Sequence, residues 1–213
     1  ILRSADRVIG NSQASADFVH KLSGRTDCQV IYRGANIKGI ENIEPRNDLR
    51  GKYSDKTIIA FIGRLIDGKG AHDLITAIAQ LKRDDIVTFI IGGGPEEERL
   101  KKMTSEYQIE NQVLFFGNLP FTEAIALLKT ADIAVNPSYT EGLPTSVTEA
   151  ALCQKAIIAT RVGGTPEVIT GINDGYLIEP KNIPQLKEKL IDLIGHPEKR
   201  LLFGQNAYRE VRD

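Results

Sequence analysis

The sequence is poor in several residue types: among its 213 residues it has no tryptophan, one methionine and only two cysteines. The cysteines, Cys28 and Cys153, lie far apart, which argues against a disulfide framework and against a zinc site. No run of about 18 apolar residues occurs, so no segment is predicted to span a membrane. With no basic-then-apolar leader either, these absences predict a reduced, cytoplasmic setting.

Neither sign of charge dominates, because 27 Lys and Arg stand against 28 Asp and Glu. Proteins that bind nucleic acid usually carry an excess of positive charge on one face, so we expect no nucleic-acid partner. The length fits one large domain or two small ones. The chain opens on Ile-Leu-Arg-Ser-Ala-Asp without a Met, and we expect it to be a fragment.

Short apolar runs alternate with helical patterns from residue 57 onward. Continuous apolar runs are typical of strands buried on both faces, and they cover 57–62, 86–91, 113–116, 133–136, 156–160 and 176–178. Helical patterns cover 71–81, 95–107, 122–130, 145–153, 166–169, 183–194 and 197–212. This order predicts an α/β fold with a doubly wound, Rossmann-like, mostly parallel sheet in three α/β/α layers. Before it, the polar stretch 33–55 predicts a linker with at most one helical turn.

In doubly wound domains ligands bind beyond the carboxyl ends of the strands. The first such loop, from Gly63, holds Arg64 and Lys69 and nearly matches the phosphate-binding pattern Gly-x-x-x-x-Gly-Lys followed by Ser or Thr. Gly70 stands where that pattern needs a hydroxyl group to bind magnesium. This difference argues against the hypothesis that the chain is a nucleotide hydrolase. Arg64 and Lys69 still suit phosphate oxygens. The alternative is a glycine turn with two solvated charges.

The next two loops are rich in glycine. Gly92 and Gly94 start a dinucleotide-like pattern, but Glu97 replaces its third glycine and would repel a pyrophosphate. These glycines either let the backbone approach a ligand or make a tight turn. The loop at Gly117 and Asn118 has no ionisable group, and it either lines a base with its backbone or is an ordinary turn.

The fourth loop carries two carboxylates eight residues apart, Glu141 and Glu149. Between them, residues 142–145 lead into a helix whose free N–H groups can hold an anion. The alternative is a capping box, in which Ser146 caps the helix and Glu149 bonds back to it.

The fifth loop, Gly163-Gly164 with Glu167, permits close backbone approach, and Glu167 either orients the loop or caps the next turn. The three histidines are scattered, which predicts no metal cluster, and His72 is expected on a solvated helix face.

Taken together, this ordered set resembles the carboxyl-terminal half of the retaining glycosyltransferases of family 4, also called glycosyl transferases group 1, which have the GT-B fold. The residues that carry the resemblance are Gly63-Arg64, Lys69-Gly70, Gly92-Gly93-Gly94-Pro95, Gly117, Ala131-Asp132-Ile133, Pro137-Ser138, Glu141-Gly142, Glu149-Ala150 and Gly163-Gly164 with Pro166-Glu167. The hinge segment departs from the usual Asn-Gly-Val-Asp at Arg33 and Asn36.

The resemblance implies a domain division and roles for single residues. Residues 1–40 would be a remnant of an acceptor domain with the hinge, 41–196 the donor-binding domain, and 197–213 a helix crossing back. The catalytic candidates are Glu141 on sugar hydroxyls, with Arg64 and Lys69 on the donor diphosphate. Other candidate donor-binding residues are Gly63, Gly94, Gly117, Asn118, Gly142, Leu143, Thr145 and Glu149, the last on ribose hydroxyls. Backbone around residues 116–119 would receive the base.

The resemblance also implies an activity. A hexose or related sugar would pass, with retention, from a UDP-sugar or GDP-sugar to a glycan or lipid acceptor in cell-surface polysaccharide synthesis. No cofactor and no metal ion are expected, since no Asp-x-Asp occurs. The acceptor would be held by the other domain, the fragment would transfer nothing alone, and the whole protein would lie in the cytoplasm or against the inner face of the membrane. The alternative is a P-loop-like nucleotide hydrolase.

Overall fold

Eight strands and ten α-helices make up residues 4–212, the part of the chain that the computed structural model describes. The strands are β1 (Ile9–Gly10), β2 (Gln29–Val30), β3 (Thr57–Ile62), β4 (Ile86–Ile91), β5 (Val113–Gly117), β6 (Ile133–Asn136), β7 (Ala156–Thr160) and β8 (Tyr176–Ile178). The helices are α1 (Gln13–Ser23), α2 (Ile37–Glu41), α3 (Asn47–Lys52), α4 (Ala71–Leu81), α5 (Glu97–Glu106), α6 (Phe121–Thr130), α7 (Thr145–Leu152), α8 (Thr165–Val168), α9 (Ile183–Gly195) and α10 (Pro197–Arg212).

Strands β3 to β8 form one parallel sheet in the order β5-β4-β3-β6-β7-β8. The chain runs outward from β3 to β5, returns to the middle at β6, and then runs outward the other way to β8. This reversal, with helices on both faces, confirms the doubly wound, three-layer α/β/α fold. Because ligands bind where the strand order reverses, the loops after β3 and β6 lie at the expected site.

Two apolar layers hold the helices against the sheet, one on each face. Ile59 and Phe61 of β3 pack with α4, α5 and α9, whereas Ile58 and Ala60 pack with α6 and α7. All four side chains are at most 2% exposed. Fully burying an Ile or Phe side chain contributes about 1.5–3 kcal/mol. Burial on both faces explains why this run has no polar alternation.

The segment 33–55 is not the linker that its composition predicts, because it forms α2 and α3. Ile40 of α2 is 1% exposed and packs in the layer that contains α7. Arg50 of α3 donates to both carboxylate oxygens of Asp132, at 3.1 and 3.0 Å, and Asp132 also accepts from the Ile58 N–H at 2.7 Å. Helices of five and six residues are too short for hydrophobic periodicity to reveal them.

Residues 9–30 form a small unit in which β1 and β2 pair in parallel, with α1 between them in sequence. Glu167 ties this unit to the main sheet. Its carboxylate accepts from the N–H groups of Gln13 and Ala14, at 2.8 and 2.9 Å, and from the Tyr32 hydroxyl at 2.9 Å. Glu167 therefore caps the start of α1 rather than a turn of its own loop.

The last helix, α10, packs across α7 and β7. A Cβ on Gly204 would lie 2.1 Å from the Gln154 carbonyl oxygen, so the two backbones touch there. Tyr208 donates to Glu41 of α2 at 2.5 Å. Its crossing to an acceptor domain stays a prediction, as does the division of the chain into domains. Among residues 4–212, no helix combines the length and apolar character that a membrane span requires.

The two cysteines should differ sharply in reactivity. Cys153 is 6% exposed, and burial raises the pKa of its thiol to about 12, whereas Cys28 is half-buried. Because the thiolate is the reactive form, native protein treated with iodoacetamide at pH 8 should gain one adduct by intact mass and a second only after denaturation. The Cys28→Ser variant should gain none while native. Two adducts forming at equal rates in native protein would contradict this.

Candidate functional site

The loops after β3 and β6 touch where the strand order reverses. The Tyr139 N–H donates to the Gly68 carbonyl at 2.9 Å. Gly70 has a φ of +67°, and a Cβ there would lie 2.1 Å from the Pro137 carbonyl oxygen. A Ser or Thr at residue 70 is thus excluded by backbone contact, and Lys69 ends a 3-10 turn instead of opening a helix. Both facts argue against a P-loop hydrolase.

Lys69 and Glu141 form an ion pair across these two loops, with Nζ 2.5 Å from Oε1. The two side chains are 22% and 9% exposed. An ammonium group has three donors, so Lys69 retains two for a ligand. The two residues that the resemblance assigns to diphosphate and sugar therefore meet at one point.

A cavity of about 250 Å³ opens beside this pair. Its lining residues are Ile62, Gly63, Arg64, Lys69, Glu141, Leu143, Thr145, Ser146 and Glu149. Arg64 is exposed, and its guanidinium makes no hydrogen bond or ion pair with any residue from 4 to 212. An unpaired guanidinium beside an ammonium suits the oxygens of a diphosphate.

Helix α7 begins at the floor of this cavity without a side-chain cap. Its N-cap residue is Pro144, and no side chain hydrogen-bonds to the cap position. The capping-box alternative is wrong because Ser146 lies inside the helix, where its hydroxyl accepts from Asn136 Nδ2 at 2.7 Å. The N–H groups of Thr145 and Ser146 have no partner among the described residues. Such a helix start can bind an anion.

Glu149 lies on α7 with its carboxylate between two cavities. This carboxylate makes no hydrogen bond or ion pair within the described part of the chain. Burial raises the pKa of this carboxyl, and the charge of Arg33 partly offsets that increase. A half-buried acceptor without a protein partner calls for an explanation, and ligand hydroxyl groups would supply the missing donors.

The glycine pair after β7 supports the Glu141 loop from behind. Gly163 has a φ of +51°, and a Cβ there would lie 1.8 Å from the Glu141 carbonyl oxygen. The Gly164 N–H donates to the Gly142 carbonyl at 2.6 Å. The close approach that these glycines predict is therefore made to the protein's own backbone. A Cβ on Gly142 would in turn lie 3.0 Å from the Asn11 side chain.

The glycines after β4 also pack against backbone. A Cβ on Gly92 would lie 1.9 Å from the Gly63 carbonyl oxygen, and one on Gly94 would lie 2.3 Å from that of Leu65. These two glycines therefore allow the loop that carries Arg64 to pack closely against the loop after β4. Four predicted donor-binding residues do not line the cavity beside Lys69, namely Gly94, Gly117, Asn118 and Gly142. Their part in binding stays a prediction.

Tyr139, His72 and Asp73 form a polar cluster near Lys69 that no sequence motif predicts. The Tyr139 hydroxyl lies 2.7 Å from His72 Nε2 and donates to Asp73 at 2.9 Å. Burial and Asp73 together raise the pKa of Tyr139. The expectation of a solvated His72 is wrong, since its side chain is 20% exposed. The cluster fastens the loop after β6 to α4.

A second cavity of about 270 Å³ adjoins the first. Its lining residues are Arg33, Gly34, Ala35, Asn36, Ile40, Phe121, Leu143, Thr145, Thr148 and Glu149. Leu143, Thr145 and Glu149 line both cavities, so the two lie side by side and share a wall. These three are predicted donor-binding residues, whereas the sequence marks Arg33 and Asn36 only as departures from the family's usual hinge residues.

The sequence of the chain matches a known protein family. The sequence profile described as "Glycosyl transferases group 1" matches residues 44–210. The chain belongs to this family. Its relatives include an uncharacterized glycosyltransferase of Methanocaldococcus jannaschii, 33% identical over 218 residues that cover 100% of this chain and 55% of the relative. A GDP-mannose-dependent alpha-(1-6)-phosphatidylinositol monomannoside mannosyltransferase of Mycolicibacterium smegmatis is 27% identical and covers 96% of this chain and 59% of the relative.

Solved structures agree with the family. The structure of HepE from Anabaena in complex with UDP-glucose matches this group 1 glycosyltransferase chain with a TM-score of 0.87 and 25% identity, covering 97% of this chain and 59% of that one. The expected GT-B glycosyltransferase architecture is confirmed. Family 4 membership and retention stay predictions. The chain spans about half the length of the curated relatives it matches.

Proposed function

We propose that this chain holds the nucleoside diphosphate sugar donor of a retaining glycosyltransferase. The observation that carries the proposal is the single cavity in which unpaired Arg64, the Lys69–Glu141 pair and the uncapped start of α7 converge. Two cations and a helix N-terminus make a site for two linked phosphates. The carboxylate of Glu141 then lies where the sugar hydroxyls need acceptors.

The chemistry requires little beyond these groups. The bond between the anomeric carbon and the diphosphate oxygen breaks, and the acceptor oxygen bonds to that carbon on the same face. The acceptor proton passes to the departing phosphate oxygen. Negative charge grows on the diphosphate, and Arg64, Lys69 and the N–H groups of α7 stabilise it electrostatically. The proposal includes no metal ion and no cofactor.

The relatives support the donor class and leave the base open. The HepE structure contains UDP-glucose, and the Mycolicibacterium relative is named for GDP-mannose. The transferred group in our proposal is a hexose or related sugar. The acceptor is a glycan or lipid held by a further domain, in cell-surface polysaccharide synthesis in the cytoplasm or at the inner membrane face.

Calorimetric titration of the chain tests the proposal. UDP or GDP should bind more tightly than the corresponding monophosphate, because only the second phosphate reaches both Arg64 and Lys69. One charge-assisted hydrogen bond contributes about 1.5–3 kcal/mol, so the difference should be roughly tenfold or more. EDTA should leave the affinity unchanged. Absence of binding by every nucleotide at millimolar concentration would overturn the proposal.

A further inference from the structure

Arg33 is a cation without a protein partner. It makes no hydrogen bond or ion pair with any residue in 4–212. Its side chain lines the second cavity, and its charge acts on the carboxylate of Glu149 there. Many exposed arginines lack partners, but this one shares a cavity wall with an unpaired carboxylate.

The second cavity offers an aromatic surface as well as a cation. Phe121, at the start of α6, is 47% exposed although it is a large apolar side chain. Thr148 adds a hydroxyl to the same wall. Exposed aromatic rings and guanidinium planes are the surfaces on which nucleobases stack. The lining is therefore suited to a flat ring with polar edges.

The order of the groups along the two cavities locates the base. Each cavity alone lies below the range of about 300–1,000 Å³ typical of ligand pockets, and together they reach it. With the sugar at Glu141 and the diphosphate at Arg64, the ribose comes next at Glu149. In this arrangement the base lies beyond Glu149, in the cavity lined by Arg33 and Phe121. Phe121 follows two residues after the segment 116–119, to which the resemblance assigns the base.

We infer that Arg33 recognises the nucleobase of the donor and favours guanine. The inference rests on the proposed function. A guanidinium only donates hydrogen bonds, and guanine presents two adjacent acceptors, O6 and N7, that match its fork. Uracil offers one carbonyl oxygen per side with the N3–H donor between them. Adenine presents N7 beside an amino group, and that group is a donor with which Arg33 forms no bond.

Calorimetry with GDP, UDP and 7-deaza-GDP tests this on four proteins: the unchanged chain, Arg33→Gln, Arg33→Lys and the control Lys38→Gln. Lys38 is an exposed cation of α2 that lines neither cavity. The unchanged chain and the control should bind GDP roughly tenfold more tightly than 7-deaza-GDP, which lacks the N7 acceptor. Both Arg33 variants should bind the two alike, because Lys cannot reproduce the bidentate fork.

The outcomes distinguish base recognition by Arg33 from the proposed donor binding itself. Equal affinity of the unchanged chain for GDP and 7-deaza-GDP would overturn the role of Arg33 while leaving the proposed function intact. A preference for GDP that survives in Arg33→Gln would do the same. An equal loss for all three nucleotides in Arg33→Gln would show general charge attraction and overturn base recognition. Binding by none of them, in the unchanged chain, would overturn the proposed function itself.

Discussion

Replacing Lys69 by Met should weaken nucleoside diphosphate binding and also lower the free energy of unfolding, whereas Arg64→Met should weaken binding alone. The difference follows from their partners. Lys69 is paired with Glu141, which is only 9% exposed, and Arg64 has no partner among the described residues. Removing Lys69 leaves a largely buried carboxylate uncompensated, at a cost of about 2 kcal/mol, between the values for exposed and for buried pairs.

Urea unfolding and calorimetry measure the two effects separately. Each variant should lose roughly tenfold to a hundredfold in affinity for GDP or UDP, the value of one charge-assisted contact. The double variant Lys69→Met with Glu141→Gln should regain part of the stability, because the unpaired charge is gone. Lys102→Met is the control, since Lys102 is 78% exposed and its ion pair with Glu106 is long, at 3.7 Å. A Lys69→Met variant with unchanged stability would show that the ion pair does not form in solution.

The sheet could be predicted because its strands carry their own signal. In the run Thr57–Ile62 every residue after the first is apolar, a pattern typical of burial on both faces. Strand positions then placed Arg64, Lys69 and Glu141 at one edge of the sheet. Their contact could not be predicted, since 72 residues separate Lys69 from Glu141 and pairing depends on the strand order.

Predictions from a single helix were wrong where a residue outside that helix bonds to the same side chain. Ser146 and Glu149 match a capping box, yet the Ser146 hydroxyl is taken by Asn136 at the end of β6. His72 reads as a solvated helix residue, yet Tyr139 meets it from a loop 67 positions away. In both cases the partner lies outside the helix that carries the residue, at the end of β6 or in the loop that follows it. The sequence of the helix alone therefore does not reveal the partner.

Replacing Gly163 by Ala should damage the site from outside it. The residue has a φ of +51°, which costs a side-chain-bearing residue about 1–2 kcal/mol. In addition, the new Cβ would lie 1.8 Å from the Glu141 carbonyl oxygen, so one of the two backbones must move. Together we expect a loss of about 3 kcal/mol in the free energy of unfolding, by analogy with other strained and overpacked positions.

A matched glycine isolates the effect of that contact. Gly24 also has positive φ, +76°, but a Cβ there would meet nothing within 4 Å. Gly24→Ala should therefore cost only the backbone term of about 1 kcal/mol and leave ligand affinity unchanged. Gly163→Ala should displace Glu141. It should therefore weaken the binding of a nucleotide sugar more than that of the matching monophosphate, which does not reach Glu141. Equal losses of unfolding free energy in the two variants would mean that Gly163 does not support the Glu141 loop.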